Sequence, residues 1–179
     1  MGKLTYILDG DNVRHGVNCD LGFKPEDRAE NIRRMGEVAR LFADAGVICI
    51  ASLISPYKKD RDACRALLPE GEFIEVFMDV PLQVYVKQGT LKACISLHEL
   101  EKLKCSKHNV DELEIKFMVT SSQFKVFSCL AGFTGIDDPY EAPLNSEIVL
   151  QLKGEVCASP REMAETVIDY LKEKGYLNA

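Results

Sequence analysis

Asp9-Gly10-Asp11-Asn12 follows an apolar run, and two carboxylates flanking a glycine at a strand end have two uses in chemistry. They hold Mg²⁺ through water, or they take a proton from a substrate hydroxyl. The structural alternative is an Asx-turn in which Asp11 or Asn12 caps the next segment. Arg14, Arg28, Arg33 and Arg34 lie close to this acidic turn in sequence. Guanidinium groups bind phosphate or sulfate oxygens in bidentate fashion. Arg33 and Arg34 are neighbours on one predicted helix and point about 100° apart, so they cannot both face one ligand. Ile54-Ser55-Pro56-Tyr57 closes a second apolar run. Ser55 could contact a ligand or accept a phosphoryl group, although serine before proline is commonly a turn residue. The run Lys58-Lys59-Asp60-Arg61-Asp62 reads as a solvated helix face, and the 3 histidines are scattered and are given no metal.

Positioning these residues requires an α/β frame. Leu4–Leu8, Val47–Leu53, Phe73–Met78 and Ile148–Leu150 are short apolar runs without strict alternation. That pattern fits parallel strands covered on both faces. From Pro25, apolar residues Ile32, Met35, Val38, Ala39, Phe42 and Ala45 keep helical spacing until Gly46 stops them, with Glu26 and Asp27 in the first turn. Ser159-Pro160-Arg161-Glu162 predicts a capping box, followed by Met163, Val167, Ile168 and Leu171 on one face up to Gly175. Strand and helix alternating in this way give a parallel sheet whose ligands sit beyond the carboxyl ends of the strands. The places to look are Asp9–Arg14, Ile54–Tyr57 and Asp79–Pro81.

Composition narrows the function classes. A chain of 179 residues with 46% hydrophobic and 28% charged residues is sized for one globular domain. Its 28 acidic against 22 basic residues give a net charge of -6, which argues against a nucleic-acid footprint. No apolar run reaches the roughly 18 residues of a membrane span, and the first residues lack a signal-peptide layout. Seven cysteines without a C-x-x-C pair point to a reducing compartment rather than a disulfide scaffold or zinc site.

Taken together, the segments are more specific than apart. Leu8–Gly16, Leu21-Gly22-Phe23, Glu26–Arg34, Leu41–Gly46, Ile54–Tyr57 and Phe133–Glu141 closely resemble adenylyl-sulfate (APS) kinase, most of all its plant members. The resemblance covers residues 2–84 and 132–179. It implies a P-loop-kinase-like parallel sheet with flanking helices and transfer of the ATP γ-phosphoryl to the 3′-hydroxyl of APS, giving PAPS and ADP. By position it implies that Asp9 and Asp11 lie near Mg²⁺ and the attacking hydroxyl. It implies that Arg14, Arg28 and Asn31 bind the phosphosulfate and ribose region, and that Phe23 and Phe133 sandwich the adenine of APS. Ile54 and Ser55 match substrate contacts, and Ser55 also matches a position described in the family as a phosphoserine intermediate. In-line transfer between two bound substrates needs positioning and charge neutralisation, not a covalent relay. The resemblance further implies ATP and Mg²⁺ as cofactors, a homodimer, and a plastid or cytosolic location.

Two departures qualify the resemblance. Family members begin with a strand, a Walker A loop and its helix, and no glycine here is followed by Lys-Ser or Lys-Thr; Gly2-Lys3-Leu4 comes nearest. The Walker A backbone and lysine cradle the β/γ-phosphates. Even one preorganised donor is typically worth about 10²–10³ in rate. The chain therefore reads as a single incomplete APS kinase domain, residues 1–179, short of a central strand and left with an open sheet edge. It is either an enzyme of doubtful activity or a non-catalytic APS/PAPS-binding or dimer-poisoning fragment.

The second departure is an aberrant segment, residues 85–131. Taking the last base of each codon with the first two of the next, from Tyr85 to the Lys104/Cys105 boundary, the genetic code permits the family's lid in unbroken order. It begins Cys-Glu-Ala-Arg-Asp-Pro-Lys-Gly. Residues 85–104 thus read as that lid out of frame. Residues 105–131 read as a retained intron, since the overlapping codon at Lys104/Cys105 can begin GT and Val126–Ala131 can be encoded by a pyrimidine-rich tract ending in AG. The alternative is a true insertion with an amphipathic helix near Leu97–Leu103.

Overall fold

The computed structural model describes residues 4–79, 116–121, 139–151 and 158–177. Its strands are β1 (Thr5–Asp9), β2 (Ile48–Leu53), β3 (Phe73–Asp79), β4 (Lys116–Ser121) and β5 (Ile148–Gln151). All pair in parallel, in the order β1-β2-β4-β3-β5. The register sets Asp9 beside Ser52, Leu53 beside Thr120, Met78 beside Ser121 and Asp79 beside Gln151. The carboxyl ends of the strands therefore share one edge of the sheet.

The helices are α1 (Gly10–Arg14), α2 (Pro25–Asp44), α3 (Lys58–Arg65) and α4 (Pro160–Glu173). Both long helices end by the same device. Gly46 (φ 72°) follows α2 and Gly175 (φ 82°) follows α4 in the left-handed region that glycine enters without a Cβ penalty. In each case two backbone amides return to carbonyls of the last turn: Gly46 to Ala43 and Val47 to Phe42, Gly175 to Lys172 and Tyr176 to Leu171. The capping box opens α4 as the sequence predicts, with Ser159 Oγ accepting from the Glu162 amide at 3.3 Å. The Glu162 carboxylate in turn accepts from the Ser159 amide at 2.7 Å.

The sheet is covered on both faces, which explains its apolar strands. Leu8, Cys49, Ala51 and Leu53 pack with Ile32 and Met35 of α2 and Cys64 of α3. Ile48, Ile50, Ile74, Val76 and Leu150 pack with Met163, Val167 and Leu171 of α4. Alternation along β2 sends successive side chains to opposite cores. α2 and α3 touch closely at Gly36, where a Cβ would stand 2.7 Å from Cys64 Sγ.

β4 is the one strand the sequence pattern does not anticipate. Four apolar runs lead to an expected sheet short of a central neighbour, with an open edge. Residues 116–121 instead lie between β2 and β3 and close that gap. A parallel strand is held by its backbone ladder, which β2 and β3 offer to any extended segment. The rest of residues 85–131, with the alternative helix near Leu97–Leu103, lies outside the described residues.

Candidate functional site

At the end of β1 the chain turns straight into α1, and Asp9 is the residue that caps it. Its Oδ1 accepts from the amides of Asp11 (2.9 Å) and Asn12 (3.1 Å). The turn is thus capped by Asp9, not by Asp11 or Asn12 as the Asx alternative supposes, because an N-cap oxygen reaches amides two and three residues ahead. Asp11 is exposed in the first turn of α1. Mg²⁺ keeps several waters and is usually bound through one or two carboxylates with substrate phosphates. The Asp9–Asp11 pair fits that outer-sphere role; among the described residues no group of three or more His, Cys, Asp or Glu side chains is arranged to hold an ion.

Arg14, Phe23 and Arg28 converge. Arg14 Nη1 donates to the carbonyls of Leu21 (3.3 Å) and Gly22 (2.7 Å), which fixes the guanidinium 4.6 Å from the Phe23 ring centroid. Arg28 is 7% exposed; its Nε donates to Phe23 O at 2.9 Å and its guanidinium lies 5.8 Å from the same ring. Burial and then the nearby Arg28 charge lower the Arg14 pKa, against the opposing pull of Asp11 and Asp27. Two cations are therefore held together at some electrostatic cost, which a bound anion relieves. Phe23 itself is 65% exposed. An open aromatic face flanked by anchored guanidinium groups suits a ligand that is both aromatic and anionic.

Asn31 is buried on α2 and its Oδ1 accepts from Asn18 Nδ2 at 2.9 Å. Asn18, wholly buried, is a neighbour that no sequence motif singles out. Arg33 and Arg34 are occupied elsewhere. Arg33 grips Glu30 through Nε and Nη2 (2.7 and 2.8 Å), while Arg34 holds Glu30 and, bidentately, Asp20 (2.7 and 2.8 Å). Those bonds from Arg33 and Arg34 hold the Glu30 carboxyl down at about 2.

Beyond β2, Ile54 is half-buried and Ser55 is 1% exposed. Ser55 has φ 44°, the left-handed region that non-glycine residues seldom occupy. Its carbonyl accepts from Arg61 Nη1 at 2.8 Å. Here the structure corrects the expectation from sequence. Lys58, Lys59 and Asp62 are exposed, but Arg61 is 2% exposed, so this run is not a wholly solvated face. Its burial depends on Glu75 and Glu141, distant partners that local charge pattern does not reveal. At the end of β3, Asp79 accepts from Gln151 Nε2 at 3.0 Å. Phe133 lies outside the described residues.

The structure is a parallel α/β sheet with a capped acidic turn after β1 and an Arg14–Phe23–Arg28 cluster, and in α/β sheets ligands commonly sit beyond the carboxyl ends of the strands. Residues 1–93 match the adenylylsulphate kinase family. A chloroplastic adenylyl-sulfate kinase of Catharanthus roseus is 60% identical over 178 residues, spanning 99% of this chain and 48% of that protein. Adenylyl-sulfate kinase 3 of Arabidopsis thaliana is 54% identical over 176 residues, spanning 98% of this chain and 71% of that protein. The Mycobacterium tuberculosis APS kinase CysC, solved with AMPPNP and APS, superposes with a TM-score of 0.63 at 34% identity, over 96% of this chain and 81% of that one. The chain belongs to the adenylyl-sulfate kinase family, and its α/β fold is that of the family's P-loop kinases. It spans about half the length of several curated relatives it matches.

Proposed function

We propose that this chain carries the acceptor side of adenylyl-sulfate kinase chemistry, in which the ATP γ-phosphoryl passes to the 3′-hydroxyl of APS to give PAPS and ADP. The observation that carries this reading is the exposed Phe23 ring with the Arg14 and Arg28 guanidinium groups at 4.6 and 5.8 Å. In this reading the adenine of APS stacks on Phe23, with Phe133 as its second face, and Arg14, Arg28 and Asn31 take the phosphosulfate and ribose region. Ile54 and Ser55 line the same substrate from the end of β2. Asp9 and Asp11 stand beside the attacking hydroxyl, where Mg²⁺ would neutralise phosphate charge, and Asp11 is the carboxylate free of the α1 cap.

The donor side differs. These 179 residues contain no Gly-Lys-Ser or Gly-Lys-Thr, the pattern whose backbone and lysine cradle β/γ-phosphates. In this reading these 179 residues by themselves bind APS or PAPS without measurable turnover, and pair with complete subunits in the manner of a homodimer. A plastid or cytosolic setting goes with the plant relatives, of which that from Catharanthus roseus is named chloroplastic. Calorimetry with APS and no nucleotide tests the acceptor side: saturable heat is expected, with Arg14→Met and Arg28→Met each weakening it. A coupled ADP-release assay on the same protein should stay at background. No APS heat overturns the acceptor reading, and turnover free of any complete enzyme overturns the donor reading.

A further inference from the structure

Arg61 is 2% exposed, carries a charge, and among the described residues donates to a backbone carbonyl of the proposed substrate turn, that of Ser55. Its guanidinium faces in three directions. Nη1 donates to Ser55 O at 2.8 Å, Nη2 donates to Glu141 O at 2.6 Å, and Nε lies 2.9 Å from Glu75 Oε1. The plane also stands 5.9 Å from the Tyr140 ring. Two further bonds tie the same pieces: the Glu141 amide donates to Pro56 O at 2.9 Å, and the Lys58 amide to Glu141 Oε2. The loop after β2 and the distant segment at Tyr140–Glu141 are thus fastened around one buried cation, Arg61 and Glu141 being 80 positions apart in sequence.

Ser55 makes this fastening matter. A serine at φ 44° is strained and persists only where its surroundings over-determine it. Arg61 supplies a charge-assisted hydrogen bond to that residue's own carbonyl, and Glu75, 7% exposed on β3, compensates the Arg61 charge. Lysine could not substitute: it is a point charge without the planar fork that reaches separate acceptors in fixed directions.

We propose that Arg61 is a positioning residue for the substrate-contacting turn: by holding the Ser55 and Glu141 carbonyls on one guanidinium, it keeps Ser55 in its left-handed conformation. The consequence for APS rests on the acceptor reading above; the consequence for the turn does not.

The test uses the full chain, with Arg61→Met, Arg61→Lys and Ser55→Gly alone and in pairs. Glycine takes φ 44° without penalty, so it relieves the need for Arg61 if Arg61 acts through that backbone. APS affinity by calorimetry should fall about tenfold or more in Arg61→Met, the scale of losing hydrogen bonds to a charged group, and Arg61→Lys should recover little of it. In the Ser55→Gly background the same substitutions should cost clearly less. Amide exchange should quicken at Ser55, Tyr57 and Glu141 in Arg61→Lys while Arg28 and Asn31 keep their protection. Equal costs in both backgrounds, or unchanged exchange at Ser55 and Glu141, overturn the assignment. If Arg61→Met fails to fold, Arg61→Lys, which keeps a cation beside Glu75, carries the same comparisons. If the unmodified chain gives no APS heat, the acceptor reading fails and the exchange comparison alone decides the role of Arg61.

Discussion

Glu147, immediately before β5, gives its two oxygens three donors. Arg65 Nη1 and Nη2 reach it at 2.6 and 2.9 Å, and the Glu75 amide reaches it at 2.7 Å. Burial pushes its pKa up, but the Arg65 bonds and then the Glu75 amide outweigh burial and hold it below its ordinary 4.5. An unfolded chain therefore takes up this proton before the folded one does. The stability it contributes is whole above about pH 4.5 and is lost as pH falls through the lowered native value. Glu147→Gln should cost on the order of 2 kcal/mol at pH 7, as hydrogen bonds to charged groups are lost. Its melting temperature should also fall less steeply than that of the unmodified chain between pH 5 and 3. Parallel slopes in a thermal-melt series would show that this carboxylate does not couple α3 and β3 to β5. Cys49 and Cys64 illustrate the opposite case: burial, the main cause at each, pushes both thiols up to about 12, so neither is a reactive thiolate near neutrality.

At the scale of elements, α4 is written locally. Ser159 caps it, Glu162 answers at the third helical position, and Gly175 ends it. Ser159→Ala should lower stability by about 1 kcal/mol, and Ser159→Gly by only a few tenths. Urea titration should show a lower midpoint with an unchanged slope; an unmoved midpoint for Ser159→Ala would mean that the cap contributes nothing. The same locality makes α2 and the strands β1, β2, β3 and β5 legible in the amino-acid sequence, because caps, stops and apolar runs act within a few residues. Asp9–Gly10 is legible as a strand-end turn, though the Asx pattern points past Asp9 to Asp11 or Asn12 for its cap. Arg61 is not legible, since its neighbours in sequence are Asp60 and Asp62 and its partners are Glu75, Ser55 and Glu141. β4 is not legible either. A six-residue run ending in Thr-Ser carries a weak strand signal, and its position is set by two strands that are not adjacent to it in sequence.

For the whole molecule, the position of β4 decides whether there is one sheet or two fragments. β1 and β2 form one pair, β3 and β5 another, and residues 116–121 join them, with Val119 beside Ser52 on one side and Val76 on the other. The two cores run across that seam, since Ile48 and Ile50 of β2 share one of them with Ile74 and Val76 of β3. Ser121 also ends at the edge that carries Asp9, Ser55 and Asp79, so the strand that joins the halves aligns the two sides of the site. Proline reports on this directly, because it removes an amide and is not tolerated within a central strand. Val119→Pro should cost about 3 kcal/mol or more and, by uncoupling the halves, should broaden a single urea transition into two. Amides at positions 117–120 should exchange as slowly as those of Ile50 and Val76 in the unmodified chain. A Val119→Pro protein with the original midpoint and a single transition would place residues 116–121 outside the sheet, and β2 and β3 would then have to meet, or stay open, by some other arrangement.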